Sequence, residues 1–502
     1  MDLLLGLDVG TTATKALLFD LHGHVVASAS YTYGLLMPQP TWVEQDPEEL
    51  WRGVVETIHA VLRQVGEGHR VLALAQASQA GTTIPVDAAG QPLQRAISWM
   101  DARGEAEAAH VAQVWGAERL REMTGWALWA GLPLQHIAWL RQNRPALFAA
   151  ARRFLFVNDF ITYRLTGRYC MNASDAGITQ LMNVATRDWD ERLLALAGIE
   201  RAHLSPICPS GVVVGPITPE AAAAAGLSPE VLVVNGAHDQ YCAAIGAGVT
   251  APGDVLLSSG TAWVIVAVPE SLELALRSGM SVSPHPVEGR WGVLRSLGAV
   301  GASLEWFIDQ LCGGKEASQE RAHLYDAVNA GVARSTPGAG GLLFVPFGGH
   351  LATLGTGRGG FVGLSLAHTR DCMARAIMEG IGFELRWYLD ELGAAGLKVA
   401  ELKMVGGAAR SPVWPQIVAD ITGLPVVLPA VKEAAACGAA ILAGVGVGVF
   451  ADVSAGYAAF HGDAARLHPE AARQAVYDAQ LPRYQALVRF LGEQMSSGYG
   501  ET

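Results

Sequence analysis

The sequence predicts an α/β fold of two related domains that face one another around a central cleft. The chain has 502 residues, enough for two or more domains that each have a full core. Its 51% hydrophobic residues, 16% charged residues and 58 glycines are typical of a compact α/β protein with many tight turns. A strand, a Gly-Thr turn and a second strand open the chain and recur near residue 254. This weak repeat indicates two related domains with a ligand site between them.

Three apolar runs separated by turns predict a β-meander at the start of the chain: LLLGLDVG, ATKALLFD and HVVASASY. The next segment, DPEELWRGVVETIHAVLRQV, has helical patterning, with Asp46 as the expected N-cap and Pro47 at the first helical position. The run VLALAQAS predicts the strand that follows.

The second half of the chain repeats this order. The run DVLLSSG, the pair Gly260 and Thr261, and the run AWVIVAVP predict strand, turn and strand. A third glycine turn, in LKMVGGAARSPVW at 402–414, separates an apolar strand from the predicted helix WPQIVADITG, and another helix is expected over roughly 470–495. Residues 434–451 carry no charge and approach the length of a membrane span, but their four glycines favour a buried helix and a Gly-rich turn.

Charge and cysteine usage narrow the possible partners and location. A net charge of -12 argues against nucleic acid and anionic membrane as partners, so a small molecule is expected. The six cysteines are dispersed without metal-ligand spacing and predict buried thiols in a reducing cytoplasm. The start, MDLLLGLDVG, has an acid at position 2 and too short an apolar run for a signal peptide.

The first turn, in GLDVGTTATKALLFDLHG at 6–23, is a candidate phosphate site. Glycines let backbone N–H groups converge on phosphate oxygens, and threonine hydroxyls add donors on the same side. A nucleoside triphosphate with magnesium would also need a carboxylate, and Asp8 lies where that acid is expected. Taken alone, this turn is explained better by a hairpin with a capping Asp, and it is the occurrence of the other motifs in order that favours the phosphate site.

A second acid, Asp239 in VVNGAHDQYCAAIGAG, follows an apolar strand and opens a helix. Phosphoryl transfer to an alcohol calls for a base near the hydroxyl, and Asp239 is the candidate. A plain helix N-cap is the alternative. The GTGRGG stretch at 355–360 lacks the strand and helix of a dinucleotide site, and the sequence holds no GxxxxGK[ST] motif.

With these residues in hand, the chain resembles the FGGY carbohydrate kinases, within the larger actin, hexokinase and heat-shock-chaperone ATPase fold. Further segments similar to the family are WVEQDPEELW at 42–51, WMDAR at 99–103, NDFITYRLTGRYCMNASDAGIT at 158–179 and the TRDWD run that ends at Asp190. The resemblance implies two ribonuclease-H-like domains, an N-terminal sugar-binding domain at 1–245 and a C-terminal ATP-binding domain at 246–445, with a helical segment at 446–502.

The same resemblance assigns roles to residues. It makes Asp239 the base that takes the proton from a sugar hydroxyl, Gln240 a sugar contact and Asp8 the residue that organises Mg²⁺. The residues expected to contact ATP are Gly10, Thr11, Thr12, Lys15, Gly260, Thr261, Gly301, Gly406, Gly407 and Ser411. The segment EAAACGAAILAG at 433–444 is similar to the helix that closes the adenosine site.

Two departures from the family concern the acceptor. Gln79 is followed by Ala80 and Gly81, where xylulokinases have Met-His and glycerol kinases have Arg-Glu, so Trp99 and Asp101 become candidates to contact the sugar. In the second domain, GGHLATLGTGRGG at 348–360 replaces the family's Gly-Glu-Arg-x-Pro stretch.

The resulting prediction is an ATP-dependent carbohydrate kinase that resembles xylulokinases, with D-xylulose as the expected acceptor. Ribulose, gluconate, a tetritol or glycerol remain open as acceptors, as does a homodimer. A catalytically weak sugar sensor is a second function class, although retention of both Asp8 and Asp239 counts against it. A chaperone-like ATPase is a third, against which stands the lack of a segment for a peptide-binding domain.

Overall fold

The computed structural model describes residues 1–66, 68–313, 318–353, 358–431, 433–461 and 464–498. The chain forms two compact units, each assembled from three segments. Unit 1 contains Met1–Pro252, Val268–Val293 and Glu433–Gly462, and unit 2 contains Gly253–Ala267, Leu294–Lys432 and Asp463–Thr502. These discontinuous units differ from the predicted continuous division at 245 and 445, because residues 268–293 and 433–462 pack within unit 1. The predicted domain limits stay a prediction.

Unit 1 is built on a six-stranded sheet. Its strands lie in the order Val213–Pro216, Leu232–His238, Arg70–Ser78, Asp2–Val9, Ala13–Asp20 and Val25–Thr32. The last three pair antiparallel and confirm the predicted meander, whereas the second, third and fourth run parallel. Val9 lies opposite Ser78, and Ser78 opposite His238. The carboxyl ends of these parallel strands therefore meet at one edge of the sheet, which is where ligands bind in such sheets.

Two helices of unit 1 illustrate how local sequence and packing combine. Pro47–Val65 begins as predicted, with the Asp46 side chain accepting a hydrogen bond from the Glu48 backbone N–H. Ala434–Gly446 is buried over most of its length, and it approaches the strand Asp2–Val9 so closely that a methyl group at Gly6 would overlap the carbonyl oxygen of Ala436. The prediction of a buried helix from residue 434 is confirmed.

Unit 2 repeats the strand, turn and strand order that opens unit 1. Its strands run in the order Trp263–Ala267, Asp254–Ser259, Glu401–Gly406, Val426–Leu428 and Ala465–Leu467. The pairings are antiparallel, parallel, parallel and antiparallel in that order. The helices Arg370–Ala394, Trp414–Thr422 and Ala471–Gly498 complete this unit's main elements, and the last two confirm the predicted helices.

The structure contains further helices and strands. The other helices are Glu105–Val114, Ala117–Thr124, Pro133–Asn143, Pro145–Ala150, Val157–Thr166, Ala173–Ile178, Glu191–Ala197, Pro219–Ala225, Asp239–Gly246, Leu272–Arg277, Ala302–Leu311, Ser318–Arg334, His350–Thr353 and Val453–Phe460, with 3-10 turns at Arg201–His203, Ala339–Gly341 and Ala408–Arg410. The other strands are Glu44–Gln45, Ile84–Val86, Ala96–Ile97, Arg153–Leu155, Met171–Asn172, Met182–Asn183, Asp188–Trp189, Ile207–Cys208, Ser281–Pro284, Trp291–Ser296, Leu343–Val345 and Gly360–Val362.

The cysteine prediction is correct only in part. All six thiols are free, but only Cys170, Cys242 and Cys437 are buried. The other three, which are Cys208, Cys312 and Cys372, are partly exposed because they lie at a short strand, a helix end and a helix start. Among the described residues, no helix is both long enough and apolar enough to cross a membrane.

Candidate active site

The first glycine turn of unit 1 is fixed by side chains from distant parts of the sequence. The Tyr33 hydroxyl donates to the carbonyl oxygen of Gly10 at 2.6 Å, and Gln45 Nε2 donates to that of Thr11 at 2.8 Å. Trp99 Nε1 donates to the Thr11 hydroxyl at 3.1 Å. These bonds set the turn before any ligand arrives, which lowers the entropic cost of binding. Sequence reasoning missed Tyr33 and Gln45, since neither belongs to a glycine motif.

Asp8 lies one residue before the end of its strand and is partly exposed. Burial and the negative charge of Asp239 together raise the pKa of Asp8 to about 7. Lys15 is its neighbour across the hairpin, but the Lys15 ammonium forms an ion pair with Glu433 at 2.6 Å. A carboxyl with so high a pKa is poised to exchange its proton for a cation near neutral pH.

Asp239 is the first residue of the helix Asp239–Gly246 and directly follows the strand Leu232–His238, as predicted. The N-cap position belongs to His238, so the alternative of Asp239 as a simple N-cap does not hold. The Asp239 side chain is 27% exposed, and its Oδ1 lies 3.1 Å from His238 Nε2. Asp239 and Asp8 thus lie at the same edge of the sheet, close enough for their charges to interact.

Four of the residues predicted to contact the sugar lie in or beside the loop after the strand Arg70–Ser78: Gln79, Ala80, Gly81 and Trp99. Gln79 Nε2 donates to the Gly10 carbonyl oxygen at 3.2 Å, and Ala80 is buried. Gly81 has a φ of +83°, and a Cβ there would lie 3.1 Å from the Cβ of Trp99. The small residues at 80 and 81 therefore let the Trp99 side chain approach the loop closely.

A second tryptophan, Trp129, lies beside Trp99, and the two form a surface that is called the Trp99 surface below. Trp129 packs edge-on against Trp99, with ring centroids 6.1 Å apart, and it stays 46% exposed. Exposed aromatic faces in a binding region suit the apolar face of a sugar or polyol. Sequence reasoning missed Trp129 because the run TGWALWAG at 124–131, with its two tryptophans, carries no distinctive signal.

Asp101 is held inside the protein on both of its oxygens. Arg103 binds it through Nε at 2.9 Å and Nη2 at 2.8 Å, and the Val43 backbone N–H donates to Oδ2 at 2.6 Å. Its side chain is fully buried. These bonds favour a structural role, and direct contact of Asp101 with the sugar stays a prediction.

Gln240 lies next to the candidate base. Its Oε1 is buried and accepts no hydrogen bond from any described residue. Since buried acceptors are almost always paired in proteins, this atom is suited to a donor from a ligand.

In unit 2, a cavity of about 620 Å³ brings together five of the predicted ATP contacts: Gly260, Thr261, Gly301, Gly407 and Ser411. Gly301 is needed for packing, because a methyl group there would overlap the carbonyl oxygen of Gly260. Gly406 does not line the cavity. It has a φ of +98° and ends the strand Glu401–Gly406, so its role is to turn the chain toward Gly407.

Aromatic and polar side chains complete this cavity. Trp263 and Trp414 lie with ring centroids 5.3 Å apart, and both line it, as do Tyr325 and Asn329. The Ser411 hydroxyl donates to Asn329 Oδ1 at 2.7 Å. The volume and the mixture of rings, glycines and hydroxyls suit a nucleotide. Trp263 and Trp414 lie close to predicted glycine turns but were given no role, and Tyr325 and Asn329 were missed because no glycine turn marks them in the sequence.

Two predictions about unit 2 are only partly addressed. The helix Ala434–Gly446, predicted to close the adenosine site, packs in unit 1, whereas the lining residues of the cavity come from unit 2. Its predicted role stays a prediction. The departures at 348–360 fall partly on residues 354–357, which lie outside the described residues.

The chain is similar to carbohydrate kinases over most of its length. Models of the N-terminal and C-terminal domains of the FGGY family of carbohydrate kinases match residues 3–246 and 256–447. A gluconokinase of Bacillus subtilis (strain 168) is 30% identical over 445 residues, covering 88% of this chain and 86% of that protein. A xylulose kinase of the same organism is 29% identical over 491 residues, covering 96% of each. The crystal structure of xylulose kinase from Rhodospirillum rubrum has a TM-score of 0.86 at 29% identity, covering 97% of this chain and 99% of that one.

The fold and the two family models define a two-domain carbohydrate kinase with an ATPase-like α/β architecture. The chain belongs to the FGGY family of carbohydrate kinases, as its sequence motifs predicted. It is therefore a phosphotransferase with an alcohol group as acceptor, in a family that uses ATP.

Proposed function

We propose that this enzyme transfers the γ-phosphate of ATP to a hydroxyl of D-xylulose. The observation that carries the proposal is the meeting of Asp8 and Asp239 at one edge of the unit 1 sheet, beside the Trp99 surface. One carboxylate serves the metal and the other serves the acceptor, which is the division that phosphoryl transfer to an alcohol needs.

In this mechanism, Asp239 accepts the proton of the acceptor hydroxyl. The hydroxyl oxygen forms a bond to the γ-phosphorus, while the bond from that phosphorus to the β–γ bridging oxygen breaks and ADP leaves. Gly260 and Thr261 belong to the unit 2 cavity that suits the nucleotide. Gly10, Thr11 and Thr12 of unit 1 supply donors to the phosphates. Their positions are set in advance by the folded chain, so little reorganisation is needed as charge develops.

Asp8 is the residue that would hold Mg²⁺, directly or through water. The fit rests on the donor set. Burial and then the negative charge of Asp239 raise the pKa of Asp8 to about 7, and a divalent cation would relieve the repulsion between the two carboxylates. When bound, the metal would neutralise negative charge on the phosphates.

D-gluconate is the second candidate acceptor, favoured by the similarity to a gluconokinase at 30% identity. D-xylulose ranks first because the similarity to a xylulose kinase extends over 96% of both chains. In either case the small residues Ala80 and Gly81 and the tryptophans Trp99 and Trp129 define the acceptor surface.

The test is ADP release with Mg-ATP across ketoses, polyols and aldonates, in wild type, Asp239→Asn and the control Glu105→Gln, an exposed acid of unit 1. We expect the highest kcat/KM with D-xylulose. Asp239→Asn should lower kcat at least about 100-fold, since general-base catalysis contributes that much or more, while ATP binding by calorimetry persists. Turnover of every acceptor at the background rate would contradict the proposal and favour a sugar sensor.

A further inference from the structure

His238 joins the candidate base to a second buried carboxylate. It ends the strand Leu232–His238, and its side chain is only 8% exposed. Its Nε2 lies 3.1 Å from Asp239 Oδ1, and its backbone N–H donates to the Ser174 hydroxyl at 3.0 Å. The end of the strand is thus held at His238, and one ring nitrogen lies at ion-pair distance from the carboxylate that the proposed function uses.

Asp175 is the second carboxylate. It lies in the helix Ala173–Ile178, where Asn172 Nδ2 donates to its Oδ2 at 2.6 Å, and Ser78 Oγ lies 3.5 Å from the same oxygen. Its Oδ1 is buried and has no hydrogen-bond partner among the described residues, and the same holds for His238 Nδ1. Asp175 directly follows Ser174, whose hydroxyl accepts the hydrogen bond from the His238 backbone N–H, and the negative charge of Asp175 acts to raise the pKa of His238.

The charges around the imidazole favour its protonated form. Burial lowers the pKa of His238, but the charges of Asp239 and Asp175 outweigh burial and leave it raised. The Tyr241 ring lies edge-on to the imidazole, with centroids 5.7 Å apart. The ion pair gives Asp239 an opposite charge close by, and a buried carboxylate without a partner is costly.

We propose that His238 is a positioning residue, whose Nε2 forms an ion pair with Oδ1 of Asp239, so that Oδ2 of Asp239 is presented to the acceptor hydroxyl. This inference rests on the proposed function of Asp239 as base. The hydroxyl proton moves to Asp239, and His238 exchanges no proton with the acceptor. Fixing a carboxylate in this way matters because a displacement of about 1 Å can cost about 100-fold in rate.

Two matched substitutions separate positioning from general structural damage. In His238→Gln the side-chain amide nitrogen can take the place of Nε2, whereas in His238→Asn it reaches only the place of Nδ1. We expect His238→Asn to lower kcat about 10- to 100-fold with an acceptor KM within about threefold of wild type. His238→Gln should recover to within about fivefold of wild-type kcat. Equal losses in the two variants, or a change confined to KM, would overturn the inference.

An NMR titration of histidine-labelled protein tests the contact without turnover, with the His238 signal assigned by its loss in His238→Gln. The His238 ring should titrate above the ordinary value of about 6.5 in wild type and at lower pH in Asp239→Asn and Asp175→Asn. No response to Asp239→Asn would overturn the inference. If wild type phosphorylates no acceptor, the proposed function fails, whereas an active wild type with equal His238→Asn and His238→Gln rates contradicts the inference alone.

Discussion

At the scale of single residues, unit 1 carries three acids, Asp8, Asp159 and Asp175, whose pKa values are all raised to about 7, mainly by burial. Asp8 and Asp175 lie in the candidate site, but Asp159 does not. Asp159 is fully buried at the start of the helix Val157–Thr166, where its carboxyl accepts hydrogen bonds from the Phe156 backbone N–H and the Ser205 hydroxyl, each at 2.6 Å. It is therefore a structural acid, whose protonation is coupled to folding.

This coupling predicts a pH-dependent stability. Asp159 holds its proton up to a pKa of about 7 in the folded protein but releases it near 3.8 when unfolded. The folded state binds more protons between these values, so the Asp159 contribution to the free energy of unfolding falls as pH rises, by about 1.4 kcal/mol per pH unit. Asp159→Asn removes this slope. Urea denaturation of both proteins at pH 5, 6 and 7 measures it, with Glu105→Gln as a control that keeps it.

A constant difference between wild type and Asp159→Asn over this pH range would contradict the prediction. A difference that changes only above pH 8 would also do so, because both states of Asp159 are ionised there.

At the scale of elements, the sequence predicted the strands and helices that carry their own local signal. The meander follows from three apolar runs with turns between them, and the helix Pro47–Val65 from its Asp46 cap and Pro47. The turns that contain Asp8 and Asp239 were also predicted, because each carries its own local signal in the sequence. The packing partner of Ala434–Gly446 was not predictable, because no residue pattern in an uncharged helix specifies which strand it contacts.

Close approach of two helices in unit 1 leads to a prediction about Gly438. A methyl group there would overlap the carbonyl oxygen of Cys242 in the helix Asp239–Gly246, which begins with the candidate base. Gly438→Ala should therefore destabilise unit 1 by about 1 to 3 kcal/mol through overpacking. Gly393, within the helix Arg370–Ala394, faces open space, so Gly393→Ala should stabilise by about 0.5 to 1 kcal/mol.

The measurement is the urea midpoint of each variant, followed by far-UV circular dichroism. A Gly438→Ala protein as stable as wild type would show that the two helices have room to separate. Loss of stability in Gly393→Ala would contradict the open space that the structure shows at Gly393 in the helix Arg370–Ala394.

At the scale of the whole molecule, the candidate residues divide between the two units. The acceptor residues and both acids lie in unit 1, and the cavity suited to a nucleotide lies in unit 2. The sequence predicted the glycines and acids of both groups from their turns. It missed Tyr33, Gln45, Trp129 and Asn329, because each acts through a contact with a residue far away in the chain.

This division predicts separate responses to the two substrates in amide hydrogen exchange. MgADP alone should slow exchange in the segments 325–329 and 407–411, since these segments contribute lining residues and bound ligand suppresses local opening of the cavity. The acceptor alone should slow exchange at 79–81 and 236–240. Asp239→Asn should keep the MgADP response, because it leaves the unit 2 cavity unchanged. Protection by MgADP confined to unit 1 would place the nucleotide away from Gly407 and Ser411 and contradict the assignment.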